Sequence, residues 1–142
     1  MNTFESPPIP EELEARLPRI ALLAGEALQA RALADQLTRE LADFGIVTPR
    51  LEASPPPQIA DRFERRSEAN ARAHALWHEI ENLGGLVMDR ELGAIDFITA
   101  WGDSEVRLCW IVGEPSIAHW HHLDEPCSAR RRFASIDPPH LC

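Results

Sequence analysis

The apolar residues of this chain change their spacing at Gly84-Gly85, and that change divides the fold into two kinds of structure. Ahead of it, Ile20, Leu23, Ala27, Ala30, Ala34, Leu37, Leu41 and Phe44 recur at intervals of three and four. That is the stripe of one helix face, with small residues at its centre where a partner helix can approach closely. Phe63, Ala69, Ala73, Leu76, Trp77, Ile80 and Leu83 continue the pattern on a second helix. Both helices run to about 26 residues, roughly 39 Å at the usual rise. Gly45 and Gly84-Gly85 terminate them, and the stiff Pro55-Pro56-Pro57 lies in the connection. Matched lengths with one connection predict an antiparallel hairpin over 10–44 and 59–83. Pro18 would clash inside a continuous helix, so a break is expected near Leu17, with a short leading helix opened by Pro10-Glu11-Glu12.

Beyond Gly85 the period falls to two. Leu86-Val87-Met88, Ala94 to Ile98, Glu105 to Val112 and Ile117 to His121 read as short strands. Asp89-Arg90, Gly102-Asp103 and Gly113-Glu114-Pro115 are the turns between them. The expected fold is therefore α+β: a long antiparallel helical hairpin with a short N-terminal helix, packed on a three- or four-stranded antiparallel β-meander over 86–123. The 142 residues make one domain, and residues 124–142 read as a tail.

Composition removes several function classes. All 14 basic residues are Arg, and the chain has neither Lys nor Tyr. Schiff-base chemistry, a phosphate-loop lysine and a phenolic acid or base are thereby excluded. A net charge of -9 opposes binding to a phosphate backbone, and Arg130-Arg131-Arg132 is too short to reverse that. It reads as a carboxylate-pairing patch or solvated tail, so no nucleic-acid partner is expected. No run approaches the ~20 apolar residues that span a bilayer, so no membrane is expected, and the acidic N-terminal stretch lacks a signal-peptide layout. The expected compartment is the cytoplasm. Three cysteines without CxxC spacing fit neither a disulfide framework nor a zinc knuckle.

Side chains alternate across a strand. Val106, Leu108, Trp110 and Val112 share the core face of the third strand, while Glu105, Arg107 and Cys109 share the other. The same alternation sends Ile95, Phe97, Ala118 and Trp120 inward and Asp96, His119 and His121 outward. One outer surface thus collects Asp96, Arg107, Cys109, His119 and His121, with Glu114 at its rim. Two readings follow. One is a solvated sheet face on which Asp96 caps a turn or pairs with Arg107. The other is a divalent-metal site, zinc or similar, with Asp96, Glu114, His119 and His121 as ligands. Cys109 reads as an inert thiol, because no helix N-terminus is positioned to lower its pKa; the alternative is a nucleophile with His121 as base. Trp110 and Trp77 read as core, and His74 with His78, at helical spacing but without a HExxH pattern, as surface.

The segments Gly93-Ala94-Ile95-Asp96-Phe97, Leu108-Cys109-Trp110-Ile111-Val112-Gly113-Glu114 and Trp120-His121, with Leu17-Pro18 ahead of the long helix, resemble a prokaryotic family known as the domain of unknown function 2203. The likeness is specific from Gly85 to His122 and loose over the helices. Where the family carries a Gly-rich stretch ending in Arg, this chain has Pro126-Cys127-Ser128-Ala129-Arg130. The resemblance implies the same layout and marks Asp96, Glu114, Trp120 and His121 as a unit; it implies no reaction.

The leading functional expectation is a non-catalytic module that oligomerises or binds a protein partner through its helices, as a homodimer in the simplest case. The alternative is a divalent-metal-binding protein or metal-dependent hydrolase with its site on the meander.

Overall fold

A computed structural model describes residues 6–47 and 54–133. Helix α1 spans Glu11–Asp43 and α2 spans Pro57–Asn82. Strands β1 (Leu86–Asp89), β2 (Ala94–Trp101), β3 (Ser104–Ile111) and β4 (His119–His122) follow, then a 3-10 turn (Cys127–Ala129) and β5 (Arg131–Arg132). Residues 48–53, in the connection between the helices, lie outside the described residues.

The helical hairpin is antiparallel as expected. Arg19 meets Glu79 at 2.6 Å, Glu26 meets Arg72 at 3.4 Å and Glu40 meets Arg62 at 2.9 Å, so rising numbers on α1 face falling numbers on α2. The break near Leu17 does not occur: α1 passes through Pro18 without interruption. Pro18 withholds an N–H from the Glu14 carbonyl, a loss that costs about 3 kcal/mol within a helix. Leu13 and Ile20, before and after it, bury in the same core and hold the two sides in line. There is consequently no separate leading helix among the described residues.

The sheet is a pure antiparallel meander in the order β1-β2-β3-β4-β5. Among the described residues it has five strands rather than three or four, because the stretch read as a tail returns to pair Arg131 with Trp120 and Arg132 with His119. Leu13, Ile20, Leu23, Ala24 and Ala27 of α1 and Leu76, Trp77 and Ile80 of α2 pack on Ile95, Phe97, Leu108 and Trp110 of the sheet. Trp77 and Trp110 are fully buried there, as the sequence leads one to expect. Farther along the hairpin, Ala34, Leu37 and Leu41 of α1 and Phe63, Ala69 and Ala73 of α2 are buried outside that shared core. The hairpin therefore carries a distal half that the sheet does not reach.

Candidate metal centre

The alternation expected for β2 and β3 holds, but the far face of the sheet is not solvated. Ala94, Ile95, Asp96 and Phe97 are all buried in succession, which requires cover on both sides of β2. The helices cover one side. The chain after β4 folds back over the other; two arginine contacts fasten it and a third braces it from within. Arg107 donates from Nε to the Leu123 carbonyl at 3.2 Å. Arg131 grips Glu125 with two bonds of 2.8 and 2.9 Å. Arg130 grips Glu114 with two of 3.0 and 2.8 Å. The arginine cluster thus pairs with carboxylates.

Under this cover four donors converge. Asp96 from β2, Cys109 from β3, His121 from β4 and Cys127 from the 3-10 turn each offer one ligand atom, all within 4.8 Å of one another. Asp96, Cys109 and His121 have no solvent exposure, and Cys127 is partly exposed. His121 Nε2 lies 3.0 Å from Asp96 Oδ2, and Cys127 Sγ lies 3.4 Å from Asp96 Oδ1. Arg107 Nη1 approaches the same carboxylate at 3.4 Å. Burial raises the pKa of the Cys109 thiol, and the neighbouring Cys127 and the Asp96 charge raise it further. Burial and the Asp96 charge likewise raise that of Cys127.

The tautomer of His121 carries chemical information. Its Nδ1 lies 2.8 Å from the His122 carbonyl, and a carbonyl oxygen can only accept, so Nδ1 bears a proton. Nε2 then faces a carboxylate, also an acceptor when ionised. A proton, held by the ring or by the carboxyl group, or a metal cation taking Nε2 and Oδ2 as ligands must lie between them. An Nδ1–H held by a backbone carbonyl is the usual orientation of a histidine that ligates through Nε2.

Of the four residues expected to form a metal site, the structure brings Asp96 and His121 together and sets Glu114 and His119 apart as a second pair. Glu114 accepts the Ile111 N–H at 2.8 Å, while Arg130 and His119 approach it, the latter at 3.7 Å. Burial works to raise the Glu114 pKa, but the hydrogen bonds from Arg130 and Ile111 outweigh it and hold the carboxyl below its ordinary value. Glu114 is therefore a clamp between the β3–β4 loop and the returning chain, placed outside the cluster of four donors. His119 follows it because, on β4, it stands opposite Cys109 with its ring turned towards Glu114. Trp110 donates from its indole to the Glu114 carbonyl at 2.9 Å. Trp120 stacks edge-on against Trp101 at 5.0 Å, with the Arg131 guanidinium over its ring. His74 and His78 are exposed on α2.

Cys127 is the donor that sequence reasoning missed, and with it the role of Cys109 as its neighbour. Ligand spacing rules look for cysteines close in sequence, whereas these two come from a strand and a turn. The available signal was weaker: Cys127 follows His121 by six residues, short enough for the loop to return over the strand it leaves. Beside the cluster, a cavity of about 620 Å³ is bordered by Met88, Leu92, His119, Cys127 and Arg130.

Comparison with known families matches residues 9–133 to the family described as uncharacterized conserved protein (DUF2203). The match spans most of the sequence, including the hairpin and all five strands, and the chain belongs to that family. No curated protein matches it, and neither does any solved structure. No helix among the described residues is long and apolar enough to cross a membrane.

Proposed function

We propose that this member of the DUF2203 family is a metal-binding, non-catalytic module. In this reading Asp96, Cys109, His121 and Cys127 hold one zinc or similar thiophilic divalent ion. The observation that carries it is the facing of His121 Nε2 and Asp96 Oδ2 at 3.0 Å, with His121 Nδ1 committed to a carbonyl and two thiols alongside. Ligand bonds of about 2.0–2.3 Å in a tetrahedron separate donors by about 3.3–3.8 Å, so the spacings of 3.0 and 3.4 Å and the outer limit of 4.8 Å call for side-chain adjustments of up to about 1 Å. Two sulfurs, one nitrogen and one oxygen suit zinc better than a hard, oxygen-seeking ion.

Four protein donors complete a tetrahedral shell, which is the pattern of structural rather than catalytic zinc. This favours a staple over the hydrolytic alternative. The ion would tie the chain after β4 to the sheet, and the helices would remain the interaction element. A second copy of this chain would dock there, on the distal half of the hairpin, where Leu33 is exposed beside the buried Ala30, Ala34 and Leu37. Light scattering at micromolar concentrations should give a dimer mass, reduced to a monomer by Leu33→Arg.

Metal analysis of untagged, reduced protein tests the central claim. The expected result is one zinc per chain and, with cobalt substituted, a thiolate-to-metal charge-transfer band that Cys127→Ser weakens. Substoichiometric amounts of every divalent metal, even after zinc is added to the reduced chain, would refute it in favour of a buried hydrogen bond between His121 and Asp96.

A further inference from the structure

We infer that Cys109 and Cys127 form a peroxide-sensitive redox pair whose oxidation to a disulfide empties the metal centre. The inference rests on the metal reading above and adds a regulation to it. Three observations support it. The two sulfurs belong to one cluster whose ligand atoms all lie within 4.8 Å. Their accessibility is unequal: Cys127 is partly exposed and borders the cavity of about 620 Å³, whereas Cys109 is fully buried on β3. Their supports are unequal too. Cys109 is fixed in a strand paired on both sides, while Cys127 sits in a three-residue turn. An oxidant arriving through the cavity meets Cys127 first, and Cys109 stands behind it.

The chemistry balances with hydrogen peroxide as the oxidant. The Cys127 sulfur, which the proposed ion would hold as a thiolate, attacks one peroxide oxygen, the O–O bond breaks, and the other oxygen departs as hydroxide, taking up a proton to become water. Cys127 is then a sulfenic acid. Cys109 attacks its sulfur, the S–O bond breaks, and the oxygen leaves as a second water while the S–S bond forms. Two thiols lose two electrons in all, and one peroxide becomes two waters. Asp96 and His121 alone remain as donors, too few to retain zinc against a chelator.

The sequence supplies a convenient assay. No Arg or Lys lies between Arg107 and Arg130, so Cys109 and Cys127 share one tryptic peptide, Leu108 to Arg130, while Cys142 falls in Phe133 to Cys142. Zinc-loaded full-length protein is treated with hydrogen peroxide beside a chromogenic chelator, and digested under non-reducing conditions. The expected result is one zinc released per chain, with the peptide Leu108 to Arg130 lighter by two hydrogen atoms. Dithiothreitol should restore both the mass and zinc binding. Cys127→Ser, a mild change in a partly exposed turn, should abolish the mass change, whereas Cys142→Ser should leave it intact. Protein that keeps its ion and both titratable thiols under peroxide, or that links either cysteine to Cys142 instead, overturns the redox pair and leaves the metal reading standing. Reduced protein that takes up no zinc before peroxide is added overturns the metal reading.

Discussion

Asp96 has no exposure at all, and a carboxylate so placed is costly unless positive charge stands against it. Arg107 at 3.4 Å provides some, and a bound cation would provide more. Replacing Asp96 or His121 by Ala should therefore lower zinc affinity by more than the roughly 100-fold that loss of an outer-shell partner costs; competition with a chelator of known affinity measures it. Glu125 offers a test away from the ion. Hydrogen bonds from Arg131, and then from the His122 N–H, lower its pKa from 4.5 to about 2. A depressed carboxylate stabilises the fold fully above its ordinary pKa and loses that contribution as the pH falls towards the folded value. The melting temperatures of the parent and Glu125→Gln should accordingly differ at pH 6 and converge as the pH drops from 4.5 to about 2. At this scale the sequence was half legible. Strand alternation put Asp96, Cys109 and His121 on one face, because a period of two is local information. It could not say that the face was covered, nor that Glu114 and His119 would turn to each other, because both depend on a loop returning from elsewhere.

Among the elements, the hairpin and the first four strands were readable because apolar period and turn glycines are written in short windows. Pro18 misled because a local rule about proline met a tertiary override: Leu13 and Ile20 share one core across it. β5 escaped because two arginines carry no strand signal, and their pairing depends on β4 already being in place. The β1–β2 turn shows how tightly the elements fit. Gly93 has φ +74°, and a Cβ there would collide with Val112 Cγ2. Gly93→Ala combines left-handed strain with a collision, and should destabilise the protein by about 1–3 kcal/mol in urea unfolding.

For the molecule as a whole, the shared core joins one half of the hairpin to one face of the sheet, while the four donors join the other face to the returning chain. These are separate attachments, so their stabilities should respond separately. An ion that binds the folded chain alone adds about 4 kcal/mol when present at 1,000 times its dissociation constant. Zinc should therefore raise the melting temperature of the parent and leave that of Asp96→Ala unmoved, as calorimetry with and without a chelator will record. The donors also come from three adjacent strands and the turn that follows them, so they assemble only if each strand has paired in the right frame. A slip of one residue turns a strand over and would carry Cys109 to the helix side, away from its fellows. An ion captured during folding would thus act as a proofreader of strand alignment, rewarding the one arrangement in which all four donors meet.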